Sequence, residues 1–171
     1  MKFCFHYLRN LRLRRLQNDS VSFFSLQNQS FTAKVVDVYD GDTCTVIFYY
    51  LGKWMKYRVR CLGYDSPEMK PSKQIPDREE YIRKAMEARN YFASCVTNCV
   101  IDLKTPYTKT EMKALIDTNT KLIRLDCGGW DKYGRLLGDF YVDGRYINEM
   151  MVQCEYGVRY DGGTKTLVVS V

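Results

Sequence analysis

Asp40-Gly41-Asp42-Thr43 places two carboxylates two residues apart, at the junction of two runs rich in Val, Ile, Tyr, Phe and Thr. A hairpin turn in which Asp-Gly supplies a left-handed residue accounts for most of that tetrapeptide. It does not account for Asp42. Further on, Arg60 is followed by Asp65-Ser66-Pro67-Glu68, two carboxylates three residues apart with a proline fixing the backbone between them. Hard divalent ions take carboxylate and carbonyl oxygens, so Asp42, Asp65 and a neighbouring carbonyl suit calcium. A solvated loop or a helix start would use the same residues. Asp131-Lys132-Tyr133-Gly134-Arg135 precedes a hydrophobic run. As a polar turn it is ordinary; as a site, an arginine beside a tyrosine and a lysine suits a phosphate and an adjacent base. Asn148-Glu149, opening a helical stretch, reads as structural.

Taken together and in this order, the clusters say more than each does alone. D-G-D-T, then an arginine, then D-[ST]-P-E, then D-K-Y-G-R resembles the staphylococcal nuclease (thermonuclease-like) family over roughly Phe31 to Tyr160. The resemblance implies a calcium-dependent nuclease that hydrolyses phosphodiester bonds in DNA, with RNA left open, and leaves 3′-phosphate ends. Matched position by position, Asp42 and Asp65 bind Ca²⁺ through their side chains. Ser66, where the family usually has threonine, binds it through its backbone carbonyl. Glu68 matches the general base that positions and deprotonates a water, and Arg60 and Arg135 match the two phosphate-binding arginines. Asp40 matches a carboxylate that orients the metal's ligands and waters, while Lys132 and Tyr133 match residues that touch substrate phosphate and nucleotide. Tyr160 stands for a substrate-stacking tyrosine, one position away in an ungapped reading. Eight residues follow Gly163, so a third, C-terminal helix is expected to be absent, and the excursion at 105–120 is longer than the family's.

Physical chemistry asks for such a set in its own right. In-line attack on a phosphodiester builds charge on oxygens that are already anionic, which a cation and guanidinium forks offset. A glutamate ionised at neutral pH can take the water's proton.

These side chains need a scaffold to bring them together. The runs 31–40, 43–50 and 54–63, joined by Asp-Gly and Leu-Gly turns, read as an antiparallel meander. Residues 65–76 hold three of the four prolines and read as an exposed loop. Asp77, with Glu80 three residues later, predicts a capping box at the start of a helix running to about residue 97. Its core stripe comprises Ile82, Ala85, Ala88, Phe92, Cys95, Val96 and Cys99. Residues 100–104 and 121–129 read as strands, with a short helix or a long excursion between them. Two strands around Asp143-Gly144 follow, then a helix closed by Gly157, and 166–171 reads as one more strand. This is an α+β chain: a five-stranded OB-type Greek-key β-barrel with two or three helices.

The chain's 171 residues suit one folded unit from 31 to 171 behind a basic, flexible segment 1–30. Of the formal net charge of +6, most lies in residues 1–30, where Lys2, Arg9, Arg12, Arg14 and Arg15 face Asp19 alone. The remainder is weakly basic, so a local site rather than bulk charge must recognise a polyanion. The basic segment has no signal-peptide h-region, and its composition would also suit organelle targeting. No apolar run is long enough to span a bilayer. Seven cysteines without paired CxxC motifs read as reduced, buried thiols, which favours a reducing intracellular compartment. A lone histidine, His6, makes zinc or imidazole chemistry a poor fit. The alternatives are a non-catalytic OB module binding nucleic acid, which would not need the carboxylates, and a membrane-surface protein, which explains only residues 1–30. No stable protein partner is implied, and a monomer is expected.

Overall fold

The computed structural model describes residues 2–160, with side chains from His6 onward. A helix α1 (Lys2–Leu13) and one 3-10 turn (Asn18–Ser20) precede the strands β1 (Ser30–Val38), β2 (Thr43–Tyr50) and β3 (Lys53–Cys61). Then come the short β4 (Tyr64–Asp65), helices α2 (Arg78–Val96) and α3 (Lys109–Asp117), strands β5 (Ile123–Trp130), β6 (Leu136–Val142) and β7 (Arg145–Tyr146), helix α4 (Ile147–Gln153) and β8 (Val158–Arg159). The sheet runs β3-β2-β1-β5-β6-β7, and a parallel pairing of Val59–Cys61 with Leu136–Gly138 closes five of these strands into a barrel. This is the expected OB-type α+β architecture, with α1 as a fourth helix.

Period-two alternation fills the barrel. On β2, Cys44, Val46 and Phe48 point inward, and on β6 Leu136, Gly138, Phe140 and Val142 do so. Tight turns set the register. Leu51-Gly52 (φ 47 and 77) and Asp143-Gly144 (φ 50 and 77) both carry two left-handed residues, the signature of two-residue hairpins matched to strand twist. Helix α2 lays Ala85, Ala88, Phe92 and Val96 on the core, where Phe92 meets Phe140 edge-on at 5.7 Å.

Several expected details differ. Asp77 sits at φ 50 and ψ 42 and makes no side-chain cap; an N-cap reaches its helix from the β region, which this backbone leaves. The capping box occurs instead on α3, where Thr108 Oγ1 accepts from Glu111 N at 3.2 Å and Glu111 Oε2 accepts from Thr108 N at 2.7 Å. Residues 100–104 form no strand. Carbonyls in and just after this stretch are bound by a fully buried amide, with Asn90 Nδ2 donating to Asp102 O, Leu103 O and Thr105 O at 2.9–3.1 Å. Helix α4 ends at Cys154, followed by left-handed Glu155 (φ 61), so Gly157 is not its cap. Gly157 is required by packing: a Cβ there would collide with the Tyr64 ring. The proline-rich loop begins buried rather than exposed, with Asp65, Ser66, Pro67 and Pro71 all inside. Cys44, Cys61 and Cys127 are buried, Cys95 and Cys99 half-buried, and Cys154 exposed rather than buried; no two of these six are bonded. The expected strand at 166–171 lies outside the described residues.

The packed structure also begins upstream of Phe31. Leu26 is fully buried in the core, and Asn28 N donates to Cys127 O while Cys127 N donates to Gln29 O. From His6 to Ser25, side chains are exposed, with Leu11 partly so. Leu26→Ala is therefore expected to destabilise the fold by about 2–5 kcal/mol. Phe23→Ala, which removes a fully exposed ring, should change stability by less than about 0.5 kcal/mol. Denaturant midpoints of the two variants check this.

Candidate active site

The β1–β2 turn is held from two sides. Tyr39 N donates to Thr43 O at 2.9 Å, and Asp40 Oδ1 accepts from Asp42 N at 3.0 Å. From outside the turn, Tyr64 Oη donates to Gly41 O at 2.7 Å, and Cys61 N donates to Asp42 O at 2.8 Å. Gly41 does not adopt the left-handed conformation expected of it. Its missing side chain instead admits Ser66 and Ala88, whose Cβ atoms would lie 2.8 and 3.0 Å from an added Cβ. The turn is thereby wedged against the 65–68 segment and α2, which aims Asp42 at the base of β3.

There Arg60 bridges two acids. Its Nη1 donates to Asp42 Oδ1 at 2.8 Å and its Nη2 to Asp65 Oδ1. Asp42 Oδ1 also accepts from Thr43 Oγ1 at 2.7 Å, and Oδ2 from Ser66 N at 3.1 Å. Asp65 is positioned by the β4–β8 ladder, which pairs it with Val158. The same ladder, extended by Tyr160 N donating to Gly63 O at 3.0 Å, brings Tyr160 to the cleft.

The β5–β6 turn supplies the other arginine. Asp131 organises it by accepting from Tyr133 N at 2.8 Å, Arg135 N at 2.9 Å and Arg135 Nε at 2.6 Å. Burial opposes its charge, but the hydrogen bonds from Arg135 and Tyr133 outweigh that and hold the carboxyl below its usual range. Arg135 Nη1 reaches Thr43 Oγ1 at 3.4 Å, so one network runs Asp65–Arg60–Asp42–Thr43–Arg135. Both guanidinium groups are largely covered, with side-chain exposures of 12% for Arg60 and 24% for Arg135.

A cleft of about 930 Å³ opens over this network. Asp40, Arg60, Asp65, Glu68, Lys132, Tyr133, Arg135 and Tyr160 line it, with Asp42 and Ser66 buried beside the first three. Glu68 is exposed, its backbone N donating to Tyr81 Oη at 3.3 Å. Tyr133, 72% exposed, offers a ring with Lys132 Nζ 5.1 Å and Arg135 Cζ 5.7 Å from its centre. All ten residues singled out in the sequence thus gather at one place. Tyr39, Arg58 and Leu137 also line the cleft without having been singled out, and Asp131 acts as the brace for Arg135. Alternation could have revealed Arg58, which stands two residues from Arg60 on the same face of β3.

The acidic oxygens here are of the type a hard divalent cation takes. Asp40, Asp42 and Asp65, all at most 7% exposed, stand against the single guanidinium of Arg60. With the protein's own charges alone, Asp40 is pushed up to about 8, by burial first and by Asp42 next. Ser66 Oγ is buried with no hydrogen-bond partner among the described residues. Buried, undercompensated oxygens are what such a cation stabilises. Among the described residues no group of three or more acidic, histidine or cysteine side chains is placed so that it could hold a metal ion. No helix among the described residues is long and apolar enough to cross a membrane.

Residues 58–162 match the family described as staphylococcal nuclease homologue. The match spans Arg60, Asp65, Glu68 and Arg135, while Asp40 and Asp42 lie upstream of it. Comparison with curated proteins finds no match.

Proposed function

The chain belongs to the staphylococcal nuclease family, which makes it a nuclease or a nucleic-acid-binding domain; from that premise we propose that it is a calcium-dependent nuclease cutting DNA, and RNA as a second substrate, to leave 3′-phosphate ends. The observation that supports this reading is the single network joining Asp42, Asp65, Arg60 and Arg135 beneath a cleft with Glu68 at its edge. A module that only binds nucleic acid needs basic and aromatic surface. It has no use for three buried carboxylates in one spot, each of which costs desolvation.

Asp42, Asp65 and the Ser66 carbonyl would hold the calcium ion, with Asp40 orienting the ligands. When bound, the ion offsets charge on the phosphoryl oxygens and lowers the pKa of a nearby water. Arg60 and Arg135, from the paired strand β3 and the turn leading into β6, would both reach the scissile phosphate. Their forks add hydrogen bonds that tighten as negative charge grows on the equatorial oxygens. Glu68 Oε accepts the proton of the attacking water. Lys132, Tyr133 and Tyr160 hold the flanking phosphate and nucleotide. Arg60 bridges Asp42 and Asp65 in the structure, so its guanidinium positions both carboxylates as well as facing the cleft.

Full-length protein with Ca²⁺ is expected to degrade single-stranded DNA to fragments carrying 3′-phosphates, and a calcium-selective chelator should stop it. A mobility shift without degradation at any Ca²⁺ concentration would replace the enzyme with a binding module.

A further inference from the structure

We propose that the outer face of β3 continues the active cleft as a binding track for single-stranded nucleic acid, running from Arg60 to an aromatic platform at the β2–β3 hairpin; the inference rests on the nuclease reading for its occupant. Residues on one face of a strand recur every second position, about 6.7 Å apart. On β3 the inward set is Met55, Tyr57, Val59 and Cys61, of which Val59 and Cys61 are buried and Tyr57 packs on Phe48 at 5.7 Å. The outward set is Trp54, Lys56, Arg58 and Arg60: one aromatic ring and three cations in an unbroken row about 20 Å long. Lys56 and Arg58 are exposed, and Arg58 already lines the cleft.

Arg60 is already paired with Asp42 and Asp65, but β2 itself carries no acid against the rest of the row. Thr43, Thr45, Ile47 and Tyr49 of β2 stand opposite Arg60, Arg58, Lys56 and Trp54. One strand further, Lys34 lies beyond Ile47, and a single acid, Asp37, lies beyond Thr45. At the far end Trp54 is 74% and Tyr49 56% exposed, with ring centres 5.1 Å apart in an edge-on arrangement. An edge-on pair leaves a ring face open for a base. Lysines alone would be explained as protection of a free sheet edge. That role does not call for a large exposed tryptophan in line with them. Cations spaced along a strand and ending in an exposed ring are what a phosphate backbone with unstacked bases requires. A duplex, whose bases are stacked inward, gains nothing from the platform.

The test uses the full-length protein with Ca²⁺ and compares a 20-nucleotide single strand with a dinucleotide. In wild type, kcat/KM should favour the longer substrate. Trp54→Ala is expected to lower that preference about tenfold, and Trp54→Phe, which retains a ring, to restore most of it. Lys56→Gln with Arg58→Gln should lower the preference too, and should flatten the slope of log KM against log salt by about 1.4 for two lost phosphate contacts. Glu68→Gln serves as the contrast, lowering both substrates together and leaving the ratio. An unchanged length preference and salt slope in the Trp54 and Lys56/Arg58 variants would overturn the track. So would equal losses in Trp54→Phe and Trp54→Ala, which would mark a hairpin role for the ring. If wild type cleaves neither substrate, the nuclease reading has failed by itself. The track is then judged by quenching of tryptophan fluorescence on adding the 20-mer: salt-sensitive quenching lost in Lys56→Gln/Arg58→Gln supports it, and its absence in wild type overturns it.

Discussion

Glu68→Gln is expected to lower kcat on single-stranded DNA by about 10²–10⁴-fold, the usual contribution of a positioned general base. Glutamine matches glutamate in size and can still accept a hydrogen bond from water, but it cannot take the proton. The fold should be indifferent to the change. Glu68 is exposed, and the 68 position is anchored through its backbone N to Tyr81 Oη, a contact no side chain alters. The denaturant midpoint should stay within about 0.5 kcal/mol of wild type, and KM should move far less than kcat. A variant retaining the wild-type rate would remove Glu68 from the mechanism and leave its buried neighbours as the remaining acids at the site.

Arg135→Ala is expected to cost about 10²–10³ in kcat/KM, the range seen when one donor to a developing oxyanion is removed. It should also weaken the fold slightly, because Asp131 loses a 2.6 Å partner at a carboxylate only 13% exposed. Arg135→Lys separates the two effects. It keeps a cation near Asp131 but cannot reproduce the planar fork, so stability should recover while most of the rate loss remains. If lysine restored both, charge rather than fork geometry would be the contribution of this residue, and the two-arginine clamp would be reduced to Arg60.

Legibility in the sequence varied with the range of the cause. Hairpins set by Leu51-Gly52 and Asp143-Gly144 were readable, because a two-residue turn demands left-handed backbone from its own residues. Strand positions 44–48 and 136–142 alternate because each buries one face of a closed barrel. Local motifs misled where a distant group took over the local task. Asp77 looks like a cap but adopts φ 50, and the carbonyls of Asp102, Leu103 and Thr105 are satisfied by Asn90 on α2 rather than by a strand. Gly41 and Gly157 were read as turn and cap glycines, yet each is small because another element, Ser66 with Ala88 or the Tyr64 ring, occupies the space.

Residue types and order alone pointed to the family and the barrel, and proposed ten side chains that the fold brings to one cleft, since most of them sit on turns and strand ends whose chemistry is local. Tertiary structure decided what those side chains do to one another. That Arg60 spans Asp42 and Asp65, that Asp131 braces Arg135, and that burial drives Asp40's carboxyl up depend on contacts between segments as many as 92 residues apart, as with Thr43 and Arg135. Electrostatic energies follow distance and desolvation, and neither is defined until the chain has closed on itself.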